Sequence, residues 1–184
     1  WAKIESLIKK RMNLEKLTIK SREALEQAFS IATSNDNQAV ENGHILKSLM
    51  QVSDDVMNYI FGKFSIHSAS FREVLESIIK SYPKVSGGDA YISNNAARSL
   101  QKAEAFANES GDDYVSVEML VYGILQSGDT VSQLLKDNGI TEKQLKEVIS
   151  GLRKGSKVSS QSSENTYNSL EKYALNLNEI AKKG

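Results

Sequence analysis

The groups whose types and spacing call for inspection as chemistry are paired carboxylates, two histidines and a Gly-Gly pair; the chain contains no cysteine. That excludes disulfides, thiolate zinc sites and cysteine nucleophiles, and it fits a reducing compartment. The adjacent pairs Asp54-Asp55 and Asp112-Asp113 are what a metal site or an acid–base couple would use. Asp54-Asp55 opens a helix, however, where acidic side chains are favoured by the helix dipole. His44 and His67 have no third ligand at metal-binding spacing, and no H-E-x-x-H motif is present. Gly87-Gly88 lies in a polar connector and matches neither a P-loop nor a dinucleotide-binding fingerprint. Tyr82, Tyr91 and Tyr114 are not interleaved with basic residues as a base-stacking platform would need. The expectation is a chain with no catalytic residues, no metal and no cofactor.

Composition narrows the class further. In 184 residues, Lys+Arg and Asp+Glu both number 23, so no net field draws the chain to nucleic acid or an anionic membrane. No apolar run approaches the roughly 18 residues a membrane span needs, and no signal-peptide core is visible. Pro83 is the single proline, which suits long uninterrupted helices. A soluble, all-α, cytoplasmic protein is expected.

The strongest feature is an internal duplication. At an offset of 75, Leu25 falls on Leu100, Ala28 on Ala103, Ile31 on Phe106, Val40 on Val115, and Ile45 to Met50 on Leu120 to Leu125. After one deletion the offset becomes 74, pairing Phe71 with Leu145, Val74 with Val148 and Ile78 with Leu152. A register held this long marks two copies of one structural unit. His44 falls on Met119, so it reads as a packing position rather than a ligand. His67 reads as a helix cap.

Each copy spells four helices. Thr18 and Ser93 start the long first helices, which run to about Ser34 and Ser110. Short apolar helices follow from about Gly43 to Gln51 and from Ser116 to Gln126. Ser53-Asp54-Asp55 and Gly128-Asp129-Thr130 open the third pair. The fourth covers about Ser70 to Ser81, burying Phe71, Val74, Leu75 and Ile78, and in the second copy starts at the Thr141-x-x-Gln144 capping box and ends near Leu152. Two four-helix repeats, at about 12–81 and 93–152, must pack together because neither hides its apolar face alone. Such a join tends to leave a groove, with surface candidates where the turn after Gly111 meets the start of the first helix.

The ends differ from this body. Trp1 to Arg11 lies outside the duplication and reads as an extension ahead of a natural start at Met12. Residues 153–165 are rich in Ser, Gly and Lys and read as a flexible linker able to span about 20 Å. Residues 166–184 carry the amphipathic stripe of a helix, with Tyr167, Leu170, Tyr173, Leu177 and Ile180 on one side.

These residues permit a resemblance. Met12-Asn-Leu-Glu-Lys-Leu-Thr18, Ser21-Arg-Glu-Ala-Leu25, Asp36-Asn-Gln38, His44-Ile-Leu46 and Gly111-Asp-Asp-Tyr-Val-Ser-Val-Glu118 together resemble the N-terminal domain of ClpB-type disaggregases, and Leu170-Glu-Lys-Tyr173 resembles the segment before that family's first ATPase module. The resemblance implies a mobile receptor that engages exposed apolar segments of unfolded or aggregated polypeptides, on a hexameric ATPase that threads them through its pore. It implies substrate-binding roles for the polar residues Thr18, Asp112 and Glu118. It also implies an apolar groove around Leu100 and Met119, with Phe106 nearby; Lys102 stands where relatives can be apolar. ATP and Mg are expected only in ATPase modules outside this chain. The isolated domain is expected to be a monomer that contacts neither nucleic acid nor membrane. Thr18 has equal claim to a role as helix cap. The alternative from the same resemblance is an adaptor-docking domain of a protease-associated Clp ATPase, with a co-chaperone or adaptor as partner; a third is a structural cap with little client contact.

Overall fold

The structure is a computed structural model and describes residues 13–85 and 87–166. The expectations for Trp1 to Arg11 and for the helix beyond residue 166 lie outside the described residues.

The helices form where the caps place them. After a 3-10 turn at Leu14–Lys16, α1 spans Ile19–Ser34, with the Thr18 side chain accepting from the Ser21 amide at 3.2 Å. A two-residue strand β1, Ala39–Val40, precedes α2 (Asn42–Val52), α3 (Asp54–Lys63) and α4 (Ser68–Ser81). His67 caps α4, as its position predicts. The second copy repeats the plan with β2 (Tyr91–Ile92), α5 (Asn94–Ser110), α6 (Val117–Leu125), α7 (Thr130–Asp137) and α8 (Glu142–Arg153). Ser93 caps α5 through the Ala96 amide at 3.1 Å, in the same role as Thr18.

The short helices α2 and α6 sit at the centre. Every residue of α6 is buried, and α5 and α6 pack closely enough that a Cβ on Gly123 would meet the Ser99 carbonyl oxygen at 2.1 Å. Only glycine permits that approach. The two copies pack through α2 against α5 and α6, α3 against α8, and α4 against α7, so the cores merge into one apolar cluster.

Two short parallel pairings, not foreseen in an all-α reading, stitch the copies crosswise. Val40 pairs with Ile92, and Leu17 pairs with Val115, positions related by the same offset of 75. In each case the residue before a long helix of one copy pairs with the residue before a short helix of the other. The duplicated halves are therefore interlocked rather than merely stacked.

Two expectations are corrected. On α4 the buried stripe is Phe71, Leu75 and Ile79, while Val74 is 48% exposed and Ile78 only partly buried. Residues 153–165 are not a free linker over their described length: Arg153, Val158 and Glu164 are buried, and the segment runs against the second copy as a strap. The bonds that hold it include those from the Asp113 amide to the Val158 carbonyl, from the Val158 amide to Asp112, from the Ile19 amide to the Gln161 carbonyl, and from the Val117 amide to Glu164.

Candidate functional site

The turn after α5 does meet the start of α1, and it does so around a charge. Arg153, the last residue of α8, donates from Nε to Glu118 Oε1 at 2.6 Å, from Nη1 to Asp112 Oδ2 at 2.7 Å and from Nη2 to Ser116 Oγ at 2.8 Å. The carboxylates are 1% and 0% exposed and the guanidinium 7%. Burial works against the charge of Arg153, but Glu118 and Asp112 outweigh it and hold the guanidinium pKa above its usual value. A charge this deep persists only because every oxygen facing it is placed.

Thr18 and Glu164 extend this cluster. Ser116 occupies the N-cap position of α6, yet its side chain makes no capping bond, contrary to the sequence reading. The cap comes from the strap instead: Glu164 Oε1 accepts from the Val117 amide at 2.7 Å and lies 2.9 Å from the Thr18 hydroxyl. Glu164 Oε2 is buried without a partner. Burial, and then the neighbouring charge of Glu118, push the Glu164 carboxyl up to about 8.

The predicted site residues therefore separate. Thr18, Asp112 and Glu118 come together, but as a buried brace rather than a polar surface; Thr18 is 0% exposed and is a helix cap. Leu100 and Met119 are core residues at 1% and 0% exposure, so they offer no groove to a client in this conformation. Their contact partners are inside the molecule because α5 and α6 face each other with those side chains between them. Phe106 alone keeps an accessible face.

Phe106 stacks on Tyr122 with centroids 4.2 Å apart, and Lys146 Nζ sits 5.4 and 5.3 Å from the two rings. Phe106 of this pair borders an open cleft of about 310 Å³ between α5 and α8, lined also by Asp112, Lys146, Ile149, Arg153 and Lys157. The strap forms one wall through Gly155, Ser156 and Lys157. In the first copy a smaller recess of about 120 Å³ lies between α2 and α4, lined by Met50, Leu75 and the Lys47–Glu76 ion pair; it shares with the α5–α8 cleft only the equivalent wall of the last helix. The join between copies also leaves a groove of about 320 Å³, at Tyr59, Phe64 and Val148, but it holds none of the predicted site residues.

Sequence reasoning missed Arg153, Val158 and Glu164. The signals were present: Arg153 falls on Ile79 at an offset of 74, a buried position, and Val158 and Glu164 are the one apolar and the one acidic residue in 154–165. Among the described residues, no three His, Asp or Glu side chains converge as a metal site would require. No helix there is long and apolar enough to cross a membrane.

Comparison with known proteins places this arrangement. Residues 16–138 match the family described as Clp repeat (R) N-terminal domain. Over 173 residues the chain is 47% identical to the chaperone protein ClpB of Bacteroides thetaiotaomicron, covering 94% of this chain and 20% of that one. It thus spans about a fifth of the length of this curated relative. The Hsp104 N-terminal domain from Candida albicans superposes with a TM-score of 0.71 at 15% identity, covering 81% of this chain and 99% of that one. A ClpV N-domain in complex with VipB peptide gives 0.62 at 18% identity, with 74% and 86% covered. With a family match over two thirds of its length and a ClpB relative at this identity, the chain belongs to the Clp N-terminal repeat family and is of the ClpB type.

Proposed function

We propose that this chain is the substrate-receptor domain of an ATP-dependent disaggregase, binding exposed apolar segments of unfolded or aggregated polypeptides for transfer to a hexamer pore. The observation that carries this reading is the α5–α8 cleft, where the accessible face of Phe106 stands beside Ile149 in an open recess. A client side chain such as Leu or Phe, fully buried there, would contribute about 1.5–3 kcal/mol. Ordering an unfolded segment costs a few kcal/mol. One domain therefore binds weakly and with little sequence preference, and several tethered copies recover strength through effective concentration. On this reading Thr18, Asp112 and Glu118 act by fixing the cleft's walls, and Leu100 and Met119 by supporting its floor. The domain itself carries out no catalysis; ATP and Mg belong to the ATPase modules, and the setting is the cytoplasm.

A second reading, docking of an adaptor, is favoured by one observation: the ClpV N-domain, similar in fold, is known in complex with a VipB peptide. An NMR titration with an unfolded, aggregation-prone polypeptide separates the two. Shifts centred on Phe106, Ile149 and Lys146, lost in Phe106→Ala, support the receptor. Shifts centred on Tyr59 and Phe64 at the join, or none at millimolar polypeptide, overturn it in favour of adaptor docking.

A further inference from the structure

The duplication shows what the strap is doing. In the first copy Glu41 caps α2, and the hydroxyl of Ser93, which caps α5, donates to its Oε2 at 2.7 Å. In the second copy the residue equivalent to Glu41 is Ser116, whose hydroxyl accepts from Arg153 Nη2 and does not cap α6. The hydroxyl equivalent to Ser93 belongs to Thr18, and it meets Glu164 instead. The strap thus supplies from outside the repeat the carboxyl that the first copy holds in its own sequence.

The rest of the strap follows the same logic. Asn37, at the turn after α1, grips the segment leaving α4 through the Tyr82 and Pro83 carbonyls. Its equivalent, Asp112, grips the segment leaving α8 through the Val158 amide at 2.9 Å. The first of these segments continues into the second copy; among the described residues the far end of the strap is held by Glu164 and by Gln161, whose carbonyl accepts from the Ile19 amide. Asp112 also binds Arg153, and both line the α5–α8 cleft together with Lys157 of the strap.

We propose that residues 156–164 form a displaceable strap latched by Glu164, and that its docking builds the wall of the α5–α8 cleft, so that strap docking and occupancy of the cleft favour each other. The client part of this inference rests on the receptor reading above; the latch does not. Glu164 touches nothing in the cleft and acts as a positioning residue. A bound client holds the strap down; release of the strap removes Ser156 and Lys157 from the wall and lets the client go.

The test uses the full chain with Glu164→Ala and Glu164→Gln. Gln keeps an oxygen for the Val117 amide and the Thr18 hydroxyl, whereas Ala removes it. Amide exchange of Val117 and Val158 is expected to rise at least about tenfold in Glu164→Ala while that of Ala28 and Leu120 holds. Glu164→Gln is expected to stay near wild type. The Phe106 and Ile149 signals should shift in the Ala variant, and affinity for an unfolded polypeptide should fall by about three- to tenfold. Unchanged exchange at Val117 and Val158, or equal loss of protection at Ala28 and Leu120, overturns the latch. Freed amides with unmoved Phe106 and Ile149 signals overturn the coupling. If the wild type binds no polypeptide, the receptor reading fails, and the exchange and ring signals still decide the strap.

Discussion

The two copies solve one packing problem with opposite chemistry. In the first, the space inside the turn after α1 is filled by neutral groups. His44 Nδ1 accepts from the Glu41 amide at 2.9 Å, Nε2 donates to Asn37 Oδ1 at 3.1 Å, and the Tyr82 hydroxyl accepts from the Gly43 amide at 3.2 Å. Gly43 is required there, since a Cβ would stand 2.6 Å from that hydroxyl oxygen. In the second copy the equivalents of Asn37, Gly43 and Ile79 are Asp112, Glu118 and Arg153, and they form an ion cluster. The ionic hub is expected to fail as a unit, because removing one member leaves a buried charge unpaired, a cost that the neutral hub does not carry.

That contrast gives the largest expected effect. Arg153→Ile, which copies the residue of the first half, should destabilise the domain by about 3–5 kcal/mol by stranding Asp112 and Glu118. Adding Asp112→Asn and Glu118→Met should return most of the loss, since an intact apolar and neutral set often replaces a buried ion pair at little cost. Urea unfolding of the single and triple variants checks this. A single variant as stable as the wild type would show that the cluster contributes position and not stability.

The repeat register was legible because the duplication marks equivalent positions, so the helices and most of their caps follow from residue types, whereas the crosswise strand pairings that interlock the halves do not. What failed were places where one residue has two readings. Leu100 and Met119 fit a groove or a core equally well as sequence, and only the facing of α5 on α6 decides between them. Val74 and Ile78 lie one position off the stripe that Phe71, Leu75 and Ile79 occupy, a rotation that the amphipathic pattern tolerates. The strap read as a linker because composition counts its many serines, whereas the fold brings partners to its one valine and one glutamate. Glu118 inside a wholly buried helix was the visible clue to a buried cation.

The two hubs should also respond to pH in opposite directions. Burial, and then Lys47, lower the His44 pKa from 6.5 to about 4, with Asn37, Glu41 and Tyr82 completing its surroundings. The folded state thus resists protonating it: the stabilisation is complete above the unfolded value and is lost as pH falls toward 4. The expected slope is at most about 1.4 kcal/mol per pH unit, and it should flatten in His44→Gln. Glu164 is the reverse case, with Glu118, Asp112, Arg153, Lys20 and Thr18 around it. Its pKa is raised from 4.5 to about 8, so docking of the strap is fullest below the ordinary carboxyl value and weakens as pH rises toward 8. Protection factors at Val117 should fall across that window in the wild type and stay level in Glu164→Gln. A shared direction for the two responses would break the comparison.

A smaller effect distinguishes the clefts. Phe106→Ala should reduce polypeptide affinity by about tenfold, the equivalent of roughly 1.4 kcal/mol for a partly buried ring, while Phe64→Ala at the join should leave it within about twofold. Equal losses in both would move the binding surface to the groove between copies.

The smallest expected cost belongs to the most constructive change. The first copy's recess shares with the α5–α8 cleft the equivalent wall of its last helix, opens toward α2 instead of the long first helix, and is bridged by Lys47 and Glu76 where the second copy has Tyr122 and Ser150. That pair is partly exposed, with side chains 25% and 38% accessible, so its loss should cost under about 1 kcal/mol. Lys47→Tyr with Glu76→Ser should place an aromatic face beside Ile31 and Leu75 and leave the recess unbridged. New polypeptide-induced shifts at Leu75 and Arg72, alongside the original ones at Ile149 and Lys146, would show that an aromatic wall is enough to make either copy a receptor. Shifts confined to the second copy would mean that the wall supplied by the strap, for which the first copy's connector is no substitute, is what makes the α5–α8 cleft bind.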